Sequence, residues 1–95
     1  MIGVIAKLKI KDGDRENFIE AMEKLVKAVA ENEPDCFYYE MHETDDPLII
    51  MMMEIYKTED AHANHTKTEH FGTLGMALGP FLDGAPEITV HKSIN

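Results

Sequence analysis

The chain has little of what several classes of protein require. It contains one cysteine, Cys36, so it cannot form an internal disulfide, and a small domain without disulfides is typical of a reducing cytoplasm. Nine Lys and Arg stand against 18 Asp and Glu, a net charge of −9, which leaves too little basic surface for a nucleic acid backbone. The longest apolar run, Leu48 to Met53, is far shorter than the roughly 20 residues of a membrane span. No signal-like segment opens the chain. We therefore expect a cytoplasmic protein whose partners include neither nucleic acid nor membrane.

The length of 95 residues predicts one domain over the whole chain, because a second core would need roughly 50 residues of its own. Apolar residues alternate from Ile2 to Ile10, which predicts a strand. Asp14 is expected to cap a helix from about Arg15 to Glu31, because apolar residues then recur at spacings of three and four. Pro34 ends this pattern.

The remainder of the chain predicts a hairpin, a broken helix and a last strand. Strand-like runs at Cys36 to Glu43 and Leu48 to Tyr56 flank turn residues. A helical region in two pieces follows from Thr58 to about Leu82, weakened by three glycines, and Glu87 to Ile94 forms the final strand. The order βαββαβ indicates a ferredoxin-like α+β fold.

The run Leu48 to Met53 shows no alternation, which in a strand implies that both faces are covered. One layer of helices covers only one face, so we expect a second subunit to pack on the other, giving a homodimer. Met51, Met52 and Met53 are interpreted as adaptable packing at this sheet.

Three histidines within nine residues are candidates for chemistry near neutral pH. His62 and His65, with Glu69, could share one helix face and hold a metal ion, but the same run is also what a solvated helix face looks like. No cysteine or second acidic cluster completes a site, and no metal is assigned. His70 is the third histidine.

An aromatic pocket between sheet and helices is a second candidate, although each ring is also suited to the core. Its candidate walls are Phe37, Tyr38, Tyr39, Tyr56 and Phe71. Glu54 lies in an apolar stretch, where a carboxylate needs a partner such as Lys, Arg or His, or an upward pKa shift. No nucleophile motif, phosphate-binding loop or dinucleotide fingerprint is present, so the sequence supports no conventional cofactor.

Two segments resemble signatures of the antibiotic biosynthesis monooxygenase superfamily, which includes quinol monooxygenases. Residues 33–40, EPDCFYYE, resemble its "E-P-G-C-x-x-Y-E" segment. Residues 53–65, followed by Thr68-Glu69-His70-Phe71, resemble "E-x-W-x-S-x-x-A-x-x-x-H" and then "H-F". The resemblance implies a dimeric α+β barrel with a pocket in each subunit between sheet and helices.

The departures from the family pattern narrow the expected function. Asp35 replaces a glycine and Tyr56 replaces a tryptophan. The haem-degrading branch has a tryptophan at the position of His65, a haem-ligating histidine at that of Gly75 and an asparagine near Ala6, all of which this chain lacks. Members that oxidise quinols or polyphenols without metal or flavin remain.

The resemblance therefore implies a cofactor-independent monooxygenase acting on a quinol or related small aromatic molecule. His65 is the expected base or hydrogen-bond partner, with His70 and Tyr56 as orienting groups. Tyr39, Phe71 and Glu54 are expected to contact the substrate. Two alternatives stay open: an isomerase of a small carbonyl metabolite and a non-catalytic ligand-binding or stress-response dimer. A phosphorylated metabolite would need cations, for which the candidates are Lys7, Lys57 and Lys92.

Overall fold

The strands and helices follow the order that the sequence pattern predicts. The computed structural model describes all 95 residues. A π-helical segment, Phe71–Gly75, and a 3-10 turn, Gly79–Phe81, lie between the second helix and the last strand. The strands and α-helices are β1 (Ile2–Lys9), α1 (Arg15–Asn32), β2 (Cys36–Glu43), β3 (Ile49–Tyr56), α2 (Glu59–His65) and β4 (Glu87–Lys92).

The four strands form one antiparallel sheet in the order β2-β3-β1-β4. This order and the two helical connections confirm the ferredoxin-like α+β fold. The register places Glu54 of β3 between Val4 of β1 and Tyr39 of β2. Glu54 is therefore at the centre of the sheet, with a hydrogen-bonded strand on each side.

Helix α1 carries the main apolar contact to the sheet. Its buried residues, Phe18, Met22, Leu25 and Val29, recur at spacings of four, three and four, so that they form one stripe. This stripe packs in one core with alternate residues of β1 and β3, including Leu8. Burial of each such side chain contributes about 1.5–3 kcal/mol.

The expected cap of α1 is not formed. Asp14 stands at the N-cap position, but its side chain makes no cap hydrogen bond. Its backbone angles, φ −106° and ψ 6°, are not the extended conformation from which a cap side chain usually reaches the first turn. Asp14 contributes instead through its carbonyl oxygen, which accepts the N–H of Phe18.

The second helical region has two pieces, as the sequence pattern predicts, but the second piece is not a regular α-helix. Helix α2 ends at His65, and the chain continues through the π-helical segment and the 3-10 turn. Gly72, Gly75 and Gly79 each cost about 1 kcal/mol in a helix relative to alanine. Pro80 opens the 3-10 turn, where its missing N–H costs nothing.

The two faces of β3 have different surroundings. Ile50, Met52, Glu54 and Tyr56 are buried against the helices. The opposite face of the sheet carries Ile5, Ile49, Met51, Met53 and Ile55, none of which packs against the helical core. We call this set the open apolar face; Ile55 is 37% exposed on it. None of the helices combines the length and the apolar composition needed to cross a bilayer.

We expect Leu25→Ala to destabilise the fold, because Leu25 is completely buried in the core between α1 and the sheet. A loss of about 2–5 kcal/mol in the free energy of unfolding is typical for this change. Lys24→Ala, at the exposed neighbouring position, should change it by no more than about 0.5 kcal/mol. Urea titration followed by circular dichroism measures both; equal effects would contradict this packing.

Candidate active site

A cavity of about 180 Å³ lies between the sheet and the helices. Eleven of its 17 lining residues are hydrophobic, so most of its wall cannot hydrogen-bond to water. An apolar cavity of about 150 Å³ can hold benzene, so this one has room for a substituted aromatic ring. The polar or titratable side chains in its wall are Tyr39, Glu54, His62, His65 and Thr66.

The end of α2 places His65 at the cavity. The chain leaves β3 at Tyr56 and starts α2 at once, with the Thr58 hydroxyl accepting the N–H of Ala61 as an N-cap. The short helix turns His65, its last residue, towards the sheet, where only 3% of the residue is exposed. A histidine this buried needs a hydrogen-bond partner.

That partner is Glu33, which follows α1. Nδ1 of His65 lies 3.0 Å from each carboxylate oxygen of Glu33. Because a carboxylate only accepts hydrogen bonds, Nδ1 carries the proton and donates it. In the neutral ring, the lone pair is then on Nε2.

The second ring nitrogen of His65 faces the cavity. Nε2 has no hydrogen-bond partner within the protein, whereas every fully buried polar side-chain atom has one. Nε2 is therefore accessible, and the cavity is the space that His65 lines. Burial lowers the pKa of His65 below its ordinary value of 6.5, and Glu33 opposes this shift. The arrangement presents a neutral imidazole base to whatever occupies the cavity.

His70 also binds the Glu33 carboxylate, at Oε2, one of the two oxygens that His65 contacts. Its Nε2 lies 2.5 Å from Oε2 of Glu33, and its side chain is 16% exposed. Glu33 thus binds two imidazoles while its own side chain is 10% exposed. His70 does not line the cavity. Its role is therefore to fix the position of the Glu33 carboxylate, which in turn fixes His65.

Aromatic rings surround the His65 imidazole. Its centroid lies 5.0 Å from that of Tyr39, 5.6 Å from that of Tyr56 and 4.8 Å from that of Phe71, the last in an edge-on arrangement. Ring pairs at these distances add attraction beyond simple burial. Together with Glu33 they leave the imidazole little freedom to rotate.

Glu54 in the wall forms a second polar pair with Tyr56, which lies behind it. The Tyr56 hydroxyl is completely buried and donates to Oε1 of Glu54 over 2.6 Å. Burial raises the pKa of Glu54, the Tyr56 hydrogen bond lowers it, and Glu33 adds a further upward contribution. Burial also raises the pKa of Tyr56 far above its ordinary value. Glu54 makes no ion pair with Lys, Arg or His; of the two alternatives that the sequence left open, the structure shows the upward pKa shift, with the Tyr56 hydroxyl as hydrogen-bond partner.

The structure brings most of the predicted site residues together. His65, Tyr39, Phe71 and Glu54 line the cavity. Tyr56 lies behind Glu54 and His70 lies behind Glu33.

Two of the expected pocket rings lie elsewhere. Tyr38 precedes Tyr39 in β2 and points to the opposite sheet face, where its hydroxyl pairs with His42. Phe37 lies at a bulge between Cys36 and Tyr38 and is 56% exposed. Neither ring lines this cavity, because alternation and the bulge direct these side chains away from it.

Glu33 was not among the predicted site residues. Its only sequence signal is its position at the start of the EPDC segment, since its partners His65 and His70 are 32 and 37 residues away along the chain. His62 was considered only as a metal ligand; it lines the cavity with its ring 5.0 Å from that of Tyr56. No group of three or more His, Cys, Asp or Glu residues is arranged to hold a metal ion.

The cavity wall contains no lysine or arginine. Lys7 lies on the other face of the sheet and is exposed. Lys57 is exposed just after β3, and Lys92 pairs with Glu59 over 2.8 Å at the surface. None of the three candidate cations therefore reaches the cavity.

Comparison with known proteins places the chain in a family. The family described as "Antibiotic biosynthesis monooxygenase" matches residues 1–74. A crystal structure of a "putative antibiotic biosynthesis monooxygenase" from Caulobacter crescentus is 30% identical, covers 99% of this chain and 90% of its own, and superposes with a TM-score of 0.94.

Two further solved structures share the fold. A "putative antibiotic biosynthesis monooxygenase" from Nitrosomonas europaea is 22% identical over the full length of both chains, with a TM-score of 0.88. A conserved protein from Methanosarcina mazei is 27% identical over 96% of this chain and 90% of its own, also with a TM-score of 0.88. No curated protein sequence matches. The chain belongs to the antibiotic biosynthesis monooxygenase family.

Proposed function

We propose that this protein is a cofactor-independent monooxygenase that oxidises a small quinol or related phenol. The observation that carries the proposal is the Glu33–His65 pair, in which the carboxylate binds Nδ1 and Nε2 faces an apolar cavity. A base at this position needs a substrate with an ionisable hydroxyl. The size and apolar wall of the cavity suit a single aromatic ring.

The reaction starts with proton transfer. Nε2 of His65 accepts the phenolic proton, and the resulting anion is electron-rich enough to react with dioxygen directly. A carbon of the ring forms a bond to one oxygen atom, and the O–O bond then breaks as the other atom leaves in water. A hydroquinone and dioxygen thus give a hydroxyquinone and one water. All electrons come from the substrate, so no external reductant is required.

Glu33 acts as a positioning residue for His65. It keeps the ring in the form that bears its proton on Nδ1, and it stabilises the imidazolium that forms when Nε2 takes a proton. His70 fixes Glu33 in turn. Tyr39 and Phe71 contact the substrate ring, and the apolar wall keeps water away from the anion.

Isomerisation of a small carbonyl compound is the second candidate. The cavity holds a base, His65, and a carboxyl group, Glu54, which together suit proton transfer next to a carbonyl. The absence of Lys and Arg from the wall argues against a phosphorylated substrate. This activity would proceed without dioxygen.

We further propose that the protein functions as a homodimer. The open apolar face defined above lies on the central strands, and polar residues such as Lys7, Glu40 and His91 lie on the same face beside it. A second copy would cover these side chains by packing sheet against sheet. The dimeric barrel implied by the family resemblance has this arrangement.

We expect His65→Ala to reduce oxygen consumption with hydroquinones by about 10²–10⁴-fold, the usual contribution of a general base. Purified, metal-free protein and an oxygen electrode provide the measurement. Asn64→Ala, at the exposed neighbouring position on α2, is the matched control and should keep the activity. A wild-type rate equal to that of His65→Ala for every substrate would refute the monooxygenase. Turnover without oxygen would favour the isomerase.

The pKa of His65 should fall in a Glu33→Gln variant. The amide oxygen can still accept the Nδ1 proton, but the negative charge that raises the His65 pKa is lost. The wild-type ring should protonate below pH 6.5 and the variant ring at still lower pH, which proton NMR of the imidazole measures without any substrate. The acid limb of kcat/KM should move in the same direction. An upward shift would show that Glu33 does not control this ring.

Met51→Glu should dissociate the dimer, because Met51 lies on the open apolar face and a carboxylate there would be desolvated without a partner. Sedimentation velocity at micromolar concentration measures the change. Met76→Glu is the control, since Met76 is 80% exposed away from the sheet. A wild-type protein that sediments as a folded monomer would contradict the homodimer.

A further inference from the structure

Glu54 is the one carboxyl group in the cavity wall, and it has an unused oxygen. The Tyr56 hydroxyl donates to Oε1, and no protein group binds Oε2. Every fully buried polar side-chain atom has a partner, so Oε2 is accessible, although Glu54 as a whole is only 8% exposed. The cavity is the space that this residue lines. Oε2 therefore faces the space that a ligand would occupy.

The orientation of the Tyr56 hydroxyl determines what Oε2 can do. The Tyr56 hydroxyl donates to Oε1 of Glu54 over 2.6 Å, so its proton points to that oxygen. If the carboxyl group is neutral, its own proton must then be on Oε2. In that state Glu54 presents an O–H donor to the cavity; in the ionised state it presents only an acceptor.

The surroundings of Glu54 favour the neutral acid. No cation lines the cavity and Glu54 makes no ion pair, so nothing compensates a buried negative charge. Burial raises the pKa of Glu54 more than the Tyr56 hydrogen bond lowers it. The titratable groups that face Glu54 or share the cavity with it are Tyr39 and Cys36 of β2, Glu33 after α1, Tyr56 of β3, and His62 and His65 of α2.

We propose that Glu54 is a neutral carboxylic acid that donates a hydrogen bond from Oε2 to a second oxygen of the substrate. This deepens the proposed function and depends on the cavity being the substrate site. The substrate class is then an uncharged aromatic compound with two oxygens: one hydroxyl for His65 and one hydrogen-bond acceptor for Glu54. Quinols have both groups, whereas monophenols lack the second.

Two phenols of almost the same shape test this selection. 4-Methoxyphenol carries an acceptor oxygen where 4-ethylphenol carries a methylene group, and binding by calorimetry under anaerobic conditions requires no turnover. The wild type should prefer 4-methoxyphenol by about 3- to 10-fold in Kd, the range expected of one hydrogen bond. Equal affinity, or no measurable binding of either phenol, would overturn the proposal.

Two variants distinguish the neutral acid from a carboxylate. In Glu54→Gln, the amide oxygen accepts the Tyr56 proton and the NH₂ group faces the cavity, so this variant mimics the neutral acid and should keep the preference. Glu54→Leu should abolish it while still binding 4-ethylphenol, which also shows that the cavity is intact. Glu23→Gln, on the exposed side of α1, is the control for a surface change of the same kind.

The preference for 4-methoxyphenol should also change with pH, in the direction set by the ionisation of Glu54. Burial raises the pKa of Glu54 above its ordinary value, and the phenols stay protonated up to about pH 9 because phenolic pKa values are near 10. Burial raises the pKa of Cys36 to about 11, and the pKa values of Tyr39 and Tyr56 are raised as well, so these three groups keep their protons up to about pH 9. The wild-type preference should decrease with increasing pH as Glu54 ionises, whereas that of Glu54→Gln should stay constant.

A preference that appears in Glu54→Gln but is absent from the wild type at every pH tested would mean that Glu54 is ionised throughout, which contradicts the proposal. Binding and turnover measurements also distinguish a failure of the Glu54 proposal from a failure of the monooxygenase proposal. If the wild type prefers 4-methoxyphenol but consumes no oxygen with any hydroquinone, the monooxygenase fails and the role of Glu54 stands. If the wild type consumes oxygen but does not prefer 4-methoxyphenol, the proposed role of Glu54 fails and the monooxygenase stands.

Discussion

The hydrogen bond between Glu33 and His65 connects the end of α1 with the end of α2, two segments 32 residues apart. A hydrogen bond to a charged group contributes about 1.5–3 kcal/mol, more than a neutral one. It also sets which ring nitrogen faces the cavity, because the carboxylate can only accept. The position of α2, the tautomer of His65 and the access of a ligand to Nε2 all depend on this contact. His70 increases its rigidity by binding Oε2 of the same carboxylate.

Strand β3 serves the site and the subunit surface at the same time. Met52 and Glu54 face the helices and line the cavity, whereas Met51 and Met53 face the opposite side of the sheet. Successive residues of a strand point to opposite faces, so one continuous apolar run supplies both surfaces. In the proposed dimer, the two cavities would lie on the outer sides of the packed sheets. Changes at the interface would then reach the cavity through the backbones of β1 and β3, which carry side chains on both faces.

The charge of the molecule agrees with the proposed substrate class. The net charge is −9, and no lysine or arginine lines the cavity. Such a field repels anions such as phosphorylated sugars and carboxylates. An uncharged quinol is not repelled. Its proton is removed only inside the cavity, where Nε2 of His65 is available to accept it.

Local patterns in the sequence were enough to predict most elements of the fold. The alternation in β1, the helical spacing of Phe18, Met22 and Leu25, and the turn residues between β2 and β3 each arise from side-chain periodicity within a short segment. The division of the second helical region into two pieces was also predicted, although the form of the second piece, a π-helical segment and a 3-10 turn, was not. The family signatures indicated His65 for the same reason, since they are contiguous stretches of sequence.

The contacts of the site were decided only when the chain folded. Glu33 became the partner of His65 and His70 because the right-handed crossover brings the end of α1 beside α2, and no local pattern records a contact over 32 residues. Tyr38 and Tyr39 are indistinguishable as residue types, yet the pairing of β2 with β3 sends one to each face. Glu54 was recognisable as a carboxyl group in an apolar strand, but its partner is a tyrosine of its own strand two residues away. Periodicity determines which residues share a face, whereas the packing of distant segments determines which of them meet.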